Sequence, residues 1–156
     1  MQLFLLRHGE ADWPNWTKPD DERPLTDKGN KEMAEVAAFL AALDISPEVI
    51  LTSPLPRAAQ TAEVVAKKLK IKLREDSMLE PGFDASDLHD LLGQYPAESV
   101  MIVGHEPDFS EVIGDLTGGS VKLSKAGLAL VELDGKRGKL RWLFPPKVAK
   151  AAAPAR

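Results

Sequence analysis

Three short apolar runs end abruptly in polar segments, and this pattern organises the chain. Leu3-Phe4-Leu5-Leu6 runs into Arg7-His8-Gly9. Val100-Met101-Ile102-Val103 runs into Gly104-His105. A third stretch ends in Leu51-Thr52-Ser53-Pro54-Leu55-Pro56-Arg57 and leads into helical spacing. Apolar runs of this length predict buried strands over residues 2–7, 47–52 and 99–104.

Between these runs the apolar period changes to that of a helix. Met33, Val36, Ala37 and Leu40 predict a helix that opens at Leu25-Thr26-Asp27-Lys28-Gly29 and ends near Leu43. Thr26 is its expected N-cap, because a hydroxyl there accepts from a free backbone N–H. A second helix is expected from Pro54 to Leu69, with proline in the first turn where its missing N–H costs nothing. Two more are expected from Ser86 to Leu92 and from Pro107 to Leu116, the latter broken by Gly118-Gly119. Residues 71–74 read as a short strand. Residues 127–133 and 139–144 flank Asp134-Gly135-Lys136-Arg137-Gly138 and read as a terminal hairpin. Leu79-Glu80-Pro81-Gly82-Phe83-Asp84 is a loop by its Pro-Gly pair. The segment holding Pro14, Pro19 and Pro24 is long enough to suggest a functional loop. Alternating strands and helices predict an α/β fold, a three-layer α/β/α sandwich around a mainly parallel sheet.

The chain has 156 residues, which fits one domain over residues 1–145. Residues 146–156 are basic and rich in alanine, and are expected to form a flexible tail. Apolar residues make up 44%, enough for a full core. There is no cysteine, so disulfides and thiolate metal sites are excluded. Neither a signal peptide nor a membrane span is read from the apolar runs, and a cytoplasmic protein is expected. The net charge of −4 argues against nucleic-acid binding, which leaves a basic footprint.

In an open α/β sheet, ligands bind outside the carboxyl ends of the strands. If the three apolar strands are parallel neighbours, Arg7, His8, Arg57 and His105 meet at one sheet edge. An imidazole beside cations is held neutral, hence nucleophilic, near pH 7. Arg57 falls in the first turn of a helix, where free N–H groups and the dipole favour anions. Two guanidinium forks neutralise a phosphoryl group in transit. A covalent phosphohistidine then divides one difficult transfer into two easier ones. His105 is expected to donate a hydrogen bond to phosphate. His89 lies between Leu88 and Asp90 in a polar stretch and reads as a solvated surface group. No metal-ligand spacing accompanies the histidines and no phosphate-binding glycine loop is present, so no metal or cofactor is expected.

These residues resemble the histidine phosphatase superfamily, with its phosphoglycerate mutase-like fold. The resemblance rests on Arg7-His8-Gly9-Glu10, on Leu25-Thr26-Asp27-Lys28-Gly29, on Thr52-Ser53-Pro54-Leu55-Pro56-Arg57-Ala58-Ala59-Gln60-Thr61-Ala62 and on Gly104-His105, in that order. Glu22-Arg23-Pro24-Leu25-Thr26 and Gly104-His105-Glu106-Pro107-Asp108 look like the SixA-type phosphohistidine phosphatases. The resemblance implies His8 as phosphoryl acceptor, with Arg7, Arg57 and His105 as phosphate ligands. Arg23, Glu80 and Asp84 are the further candidates for substrate binding. Members that act on phosphate esters usually carry an acid on the loop after the third strand, and Glu80 and Asp84 are the carboxylates this chain offers there. They also tend to carry large lid insertions, which this chain lacks.

The implied substrate is a phosphorylated protein bearing phosphohistidine. The alternatives are a small phosphate ester, or a phospho-ligand-binding module without turnover.

Overall fold

The computed structural model describes residues 1–153. Six strands form one sheet: β1 (Gln2–Arg7), β2 (Val49–Thr52), β3 (Leu73–Glu75), β4 (Ser99–Gly104), β5 (Leu128–Asp134) and β6 (Arg137–Phe144). Five α-helices accompany them: α1 (Asp27–Ala42), α2 (Pro56–Leu69), α3 (Ala85–Gln94), α4 (Asp108–Thr117) and α5 (Pro146–Ala152). The sheet order is β3-β2-β4-β1-β5-β6. β1, β2, β3 and β4 run parallel, while β5 and β6 add an antiparallel hairpin at one side.

The alternation along β1 shows why the sheet is covered on both faces. Phe4 and Leu6 join a core with Met33 and Leu40 of α1, Ala58 and Val65 of α2, and Ala149 of α5. Leu3 and Leu5 join a second core with Leu88 and Leu91 of α3 and Phe109 and Val112 of α4. Each such aliphatic side chain taken fully out of water contributes about 2 kcal/mol. This is the expected three-layer α/β/α sandwich. Among the described residues, no helix is long and apolar enough to cross a membrane.

Register decides what meets at the sheet edge. Arg7 pairs with Gly104, and Thr52 pairs with Val103. The ladder continues past the strand ends: His8 N–H donates to the Gly104 carbonyl at 3.1 Å and Ser53 N–H donates to the Val103 carbonyl at 3.0 Å. His8, Ser53 and His105 therefore stand side by side at the carboxyl end of three adjacent parallel strands.

Several element bounds shift. α2 begins at Pro56 instead of Pro54, because Leu55 precedes a proline and is held extended at ψ 136°. β2 begins at Val49, after Pro47, which has no N–H to give a ladder. The flexible tail expected from residue 146 is corrected: Pro146–Ala152 is helical and Ala149 is buried. The cause is apolar coverage, since Ala149 shares one buried core with Val36 and Leu40 of α1, and Phe39 packs against that core. Residues 154–156, also assigned to that tail, lie outside the described residues.

α1 is anchored beside the strand edge by its own cap. Thr26 Oγ1 accepts from Gly29 N–H at 3.0 Å, as expected of an N-cap. Gly29 is required there: a Cβ would lie 2.2 Å from the Glu10 carbonyl oxygen. Thr26 N–H donates to that same carbonyl at 3.0 Å, and the Thr26 hydroxyl donates to the Glu10 carboxylate. The Arg-His-Gly-Glu and Leu-Thr-Asp-Lys-Gly segments are thus two halves of one packed junction.

Candidate active site

His8 is the first residue beyond β1 and its backbone is pinned by the ladder bond to Gly104. Its Nδ1 lies 2.7 Å from the Gly9 carbonyl. A carbonyl only accepts, so Nδ1 carries the proton and the Nε2 lone pair is left free. Burial is the main force lowering its pKa to about 4, and Arg57, Arg7 and Arg23 push the same way while the Gly9 carbonyl opposes them. His8 is therefore a neutral imidazole of fixed tautomer across the neutral pH range. Gly9 is held in turn by its N–H, which donates to Thr61 Oγ1 at 3.0 Å, and Thr61 donates to the Arg57 carbonyl at 2.8 Å.

His105 is 3% exposed and its ring centroid lies 5.3 Å from that of His8. Its Nε2 is 2.8 Å from Ser53 Oγ, and its buried Nδ1 has no partner among the described residues. Ser53 Oγ also accepts from Leu55 N–H at 3.2 Å. A Ser53 hydroxyl that donates to Nε2 leaves the proton on Nδ1, with one hydrogen bond still to give. Burial lowers the His105 pKa to about 3, and His8, Arg57 and Arg7 add to the effect.

Three arginines surround this pair. Arg57, the second residue of α2, is 7% exposed, and burial lowers its pKa against the opposing pull of Asp20. Its Nη1 donates to the Asp20 carbonyl at 3.1 Å and its Nη2 lies 3.7 Å from the Asp20 carboxylate. Arg7 donates from Nη1 to the Leu123 carbonyl at 3.0 Å, while its buried Nε has no partner among the described residues. Arg23 donates from Nη1 to the Ala11 carbonyl at 2.7 Å, and its Nε sits 2.8 Å from the Asp20 carboxylate. The loop between β1 and α1 thus folds back so that Arg23 and Asp20 reach Arg57. Asp12, on the same loop, pairs with Lys125 and lies 3.6 Å from Arg23.

The remaining candidates fare differently. Asp84 is the N-cap of α3: its carboxylate accepts from Asp87 N–H at 2.9 Å, and the Asp87 carboxylate accepts from Asp84 N–H at 3.1 Å. That reciprocal box occupies it structurally. Glu80 is exposed and follows Leu79, which is buried against β4. A Cβ built on Gly104 would lie 3.5 Å from the Leu79 carbonyl, so Glu80 is close in the chain to the His105 strand end. His89 is half-buried on α3, less solvated than its acidic neighbour Asp90 suggested.

Two contributors escaped the sequence reading. Asp20 lies three residues before Arg23, the spacing at which charges on one helical turn meet, and that is the signal that finds it. Ser53 sits in the Thr52–Ala62 segment, where nothing in the spacing marks it as the partner of His105. A groove of about 1000 Å³ runs between the end of α4 and the β5–β6 hairpin and contains none of the site residues.

A neutral, oriented nucleophile inside a cluster of guanidinium groups is equipped to accept a phosphoryl group. Comparisons with known proteins identify the family. Residues 3–81, half of the chain, match the model of the histidine phosphatase superfamily (branch 1). The phosphohistidine phosphatase SixA of Escherichia coli is 30% identical over 97% of this chain and 99% of its own length. An uncharacterised protein of Picosynechococcus sp. is 36% identical over 82% of this chain and 82% of its own. The solved structure of the protein histidine phosphatase SixA complexed with tungstate is similar at a TM-score of 0.83 and 29% identity, covering 95% of this chain and 99% of that one. With the family model matched across half the chain and a relative aligned nearly end to end, the chain belongs to the histidine phosphatase superfamily.

Proposed function

We propose that the protein is a phosphohistidine phosphatase that works through a covalent phosphohistidine on His8. In the first step the His8 Nε2 lone pair forms a bond to phosphorus while the bond from phosphorus to the substrate imidazole breaks. Arg7, Arg57 and Arg23 carry the charge on the phosphoryl oxygens, and His105 donates to one of them. In the second step water attacks phosphorus, the bond to His8 breaks, and orthophosphate leaves with His8 neutral again.

One observation carries the reading: His8 keeps a free Nε2 lone pair at neutral pH, oriented by the Gly9 carbonyl, among three arginines. Two others support a phosphohistidine substrate. The E. coli relative matched nearly end to end bears that name. The β1–α1 loop holds only a 3-10 turn at Asp20–Glu22, so no helical lid encloses a metabolite there. Protonated phosphohistidine releases neutral imidazole, a far better leaving group than an alkoxide, so it makes little demand on an acid such as Glu80.

The test is release of phosphate from a phosphohistidine protein beside a panel of phosphate esters, with His8→Ala as control. The wild type is expected to prefer phosphohistidine, to trap acid-labile, alkali-stable phosphate on His8, and to lose turnover in the variant. A higher kcat/KM on any ester moves the substrate to that ester. Full activity in His8→Ala removes the mechanism.

A further inference from the structure

We infer that Asp20 is a specificity-determining residue that sets the charge of the phosphoryl site and selects against substrates bearing a second anionic group. The inference rests on a phosphoryl group entering the site of Arg7, His8 and Arg57, and is independent of the molecule that delivers it.

The argument begins with a count of charges. Arg7, Arg23 and Arg57 are permanently cationic. His8 and His105 are neutral at pH 7. Lys125 is neutralised by Asp12. Asp20 is the carboxylate that touches two of the three arginines: 2.8 Å from Arg23 Nε and 3.7 Å from Arg57 Nη2. Counted over these contacting groups, the site holds two net positive charges, the match for one phosphoryl dianion; Asp21 also pulls on Arg57, from beyond contact distance. A neutral or cationic leaving group, imidazole among them, completes that balance. A carboxylate or second phosphate beside the phosphoryl group exceeds it and meets Asp20 as a like charge.

Geometry separates this role from simple support of the loop. Arg57 is held by the backbone carbonyl of Asp20, a contact any side chain at this position leaves in place. Arg23 is held by the backbone carbonyl of Ala11. The Asp20 side chain is 74% exposed, so it contributes no packing that would explain its position. What it adds is one negative charge on the edges of two guanidinium groups that face a phosphoryl ligand.

The isosteric substitution Asp20→Asn removes the charge and keeps the size and shape of the side chain. Two stable ligands probe the outcome: methylphosphonate, which carries one anionic group, and phosphonoacetate, which adds a carboxylate. Their dissociation constants are measured by nuclear magnetic resonance titration on wild type and variant, with thermal melts to establish that the variant is folded. Asp20→Asn is expected to tighten both ligands and to favour phosphonoacetate, narrowing the gap between them on the order of threefold, the effect of one charge pair about 6 Å apart at near-aqueous screening. The narrowing should shrink in high salt. A gap that stays constant overturns the inference. So does an equal loss of affinity for both ligands, which would make Asp20 a positioning residue for the arginines. If wild type binds neither ligand, the phosphoryl-site reading itself fails, and the inference with it.

Discussion

Acid should unfold this protein through its two strand-end histidines, His8 and His105, before its carboxylates are titrated. His8 is held at about 4 and His105 at about 3, both below the ordinary value of 6.5. In each case the folded pKa is depressed by burial, so between those values the unfolded chain binds protons that the native chain refuses. Their full contribution to stability is present above pH 6.5 and is lost as pH falls. Each group costs about 1.4 kcal/mol per pH unit in that window. From pH 6.5 to 5 the two together would cost about 4 kcal/mol. Their mutual repulsion counts only once and His8 keeps some contact with water, so about 2–3 kcal/mol is the expected loss. That is a large share of the roughly 5–15 kcal/mol typical of a domain. The assay is denaturant unfolding at pH 7, 6 and 5 for wild type, His8→Asn and His105→Asn, with the imidazole resonances titrated in parallel. Carboxylate effects are common to all three proteins and cancel. Each variant should show a shallower fall than wild type, whatever its stability at pH 7. Parallel profiles, or imidazole midpoints near 6.5, would refute the argument.

Arg57→Lys keeps the charge but loses the fork, and the lysine ammonium cannot serve the Asp20 carbonyl and a phosphoryl oxygen in the same plane. A fall in kcat/KM of at least about tenfold is expected from steady-state kinetics, and wild-type values would place Arg57 outside the site. Two glycines in helices should part company. Gly29→Ala drives a Cβ into the Glu10 carbonyl and should cost about 2–3 kcal/mol in denaturant titrations. Gly93→Ala meets nothing within 4 Å and should stabilise by about 0.5–1 kcal/mol. The arginines supply the positive charge, so activity should survive a chelator; loss in EDTA with recovery on adding a divalent ion would place a metal in the site.

The strand-end chemistry was legible because two independent periodicities met in it. Four fully apolar residues before Arg7 and four before Gly104 require a sheet covered on both faces, and parallel strands so covered open their site at the carboxyl edge. The resemblance added the order of the motifs. It did not add the contact between Glu10 and Gly29, which depends on how a long loop closes. Asp20 was missed for the same reason. Proline-rich loops have no period, and the fold of residues 9–24 is set by indole bonds such as Trp13 Nε1 to the Pro24 carbonyl at 2.8 Å and Trp16 Nε1 to the Pro19 carbonyl at 3.0 Å. The C-terminal helix was missed because its cause is distant: an alanine-rich stretch reads as a tail until α1 offers it an apolar seat.

The two carboxylates of the β3–α3 loop carry the sharpest test of the leaving-group argument. As sequence both fall in the loop where ester-hydrolysing members of the family usually keep a proton donor, with Glu80 slightly favoured because it follows the apolar Met78-Leu79. The structure separates them. Asp84 is committed to a capping box, so Asp84→Ala should lower stability by about 1 kcal/mol and leave turnover per folded molecule unchanged. Glu80 is exposed, makes no side-chain bond among the described residues that would fix it elsewhere, and follows the segment packed against the His105 strand. Proton donation helps in proportion to the charge that develops on the departing atom. An imidazole departing from protonated phosphohistidine develops almost none, whereas an alkoxide develops nearly a full unit. Glu80→Gln should therefore cost about twofold or less on phosphohistidine and about tenfold or more on an alkyl phosphate. Both substrates must be measured on both variants with protein concentration corrected for folding. A large loss on phosphohistidine in Glu80→Gln would mean that the leaving group does need its proton from the enzyme, and the preference for phosphohistidine over esters would lose its chemical basis.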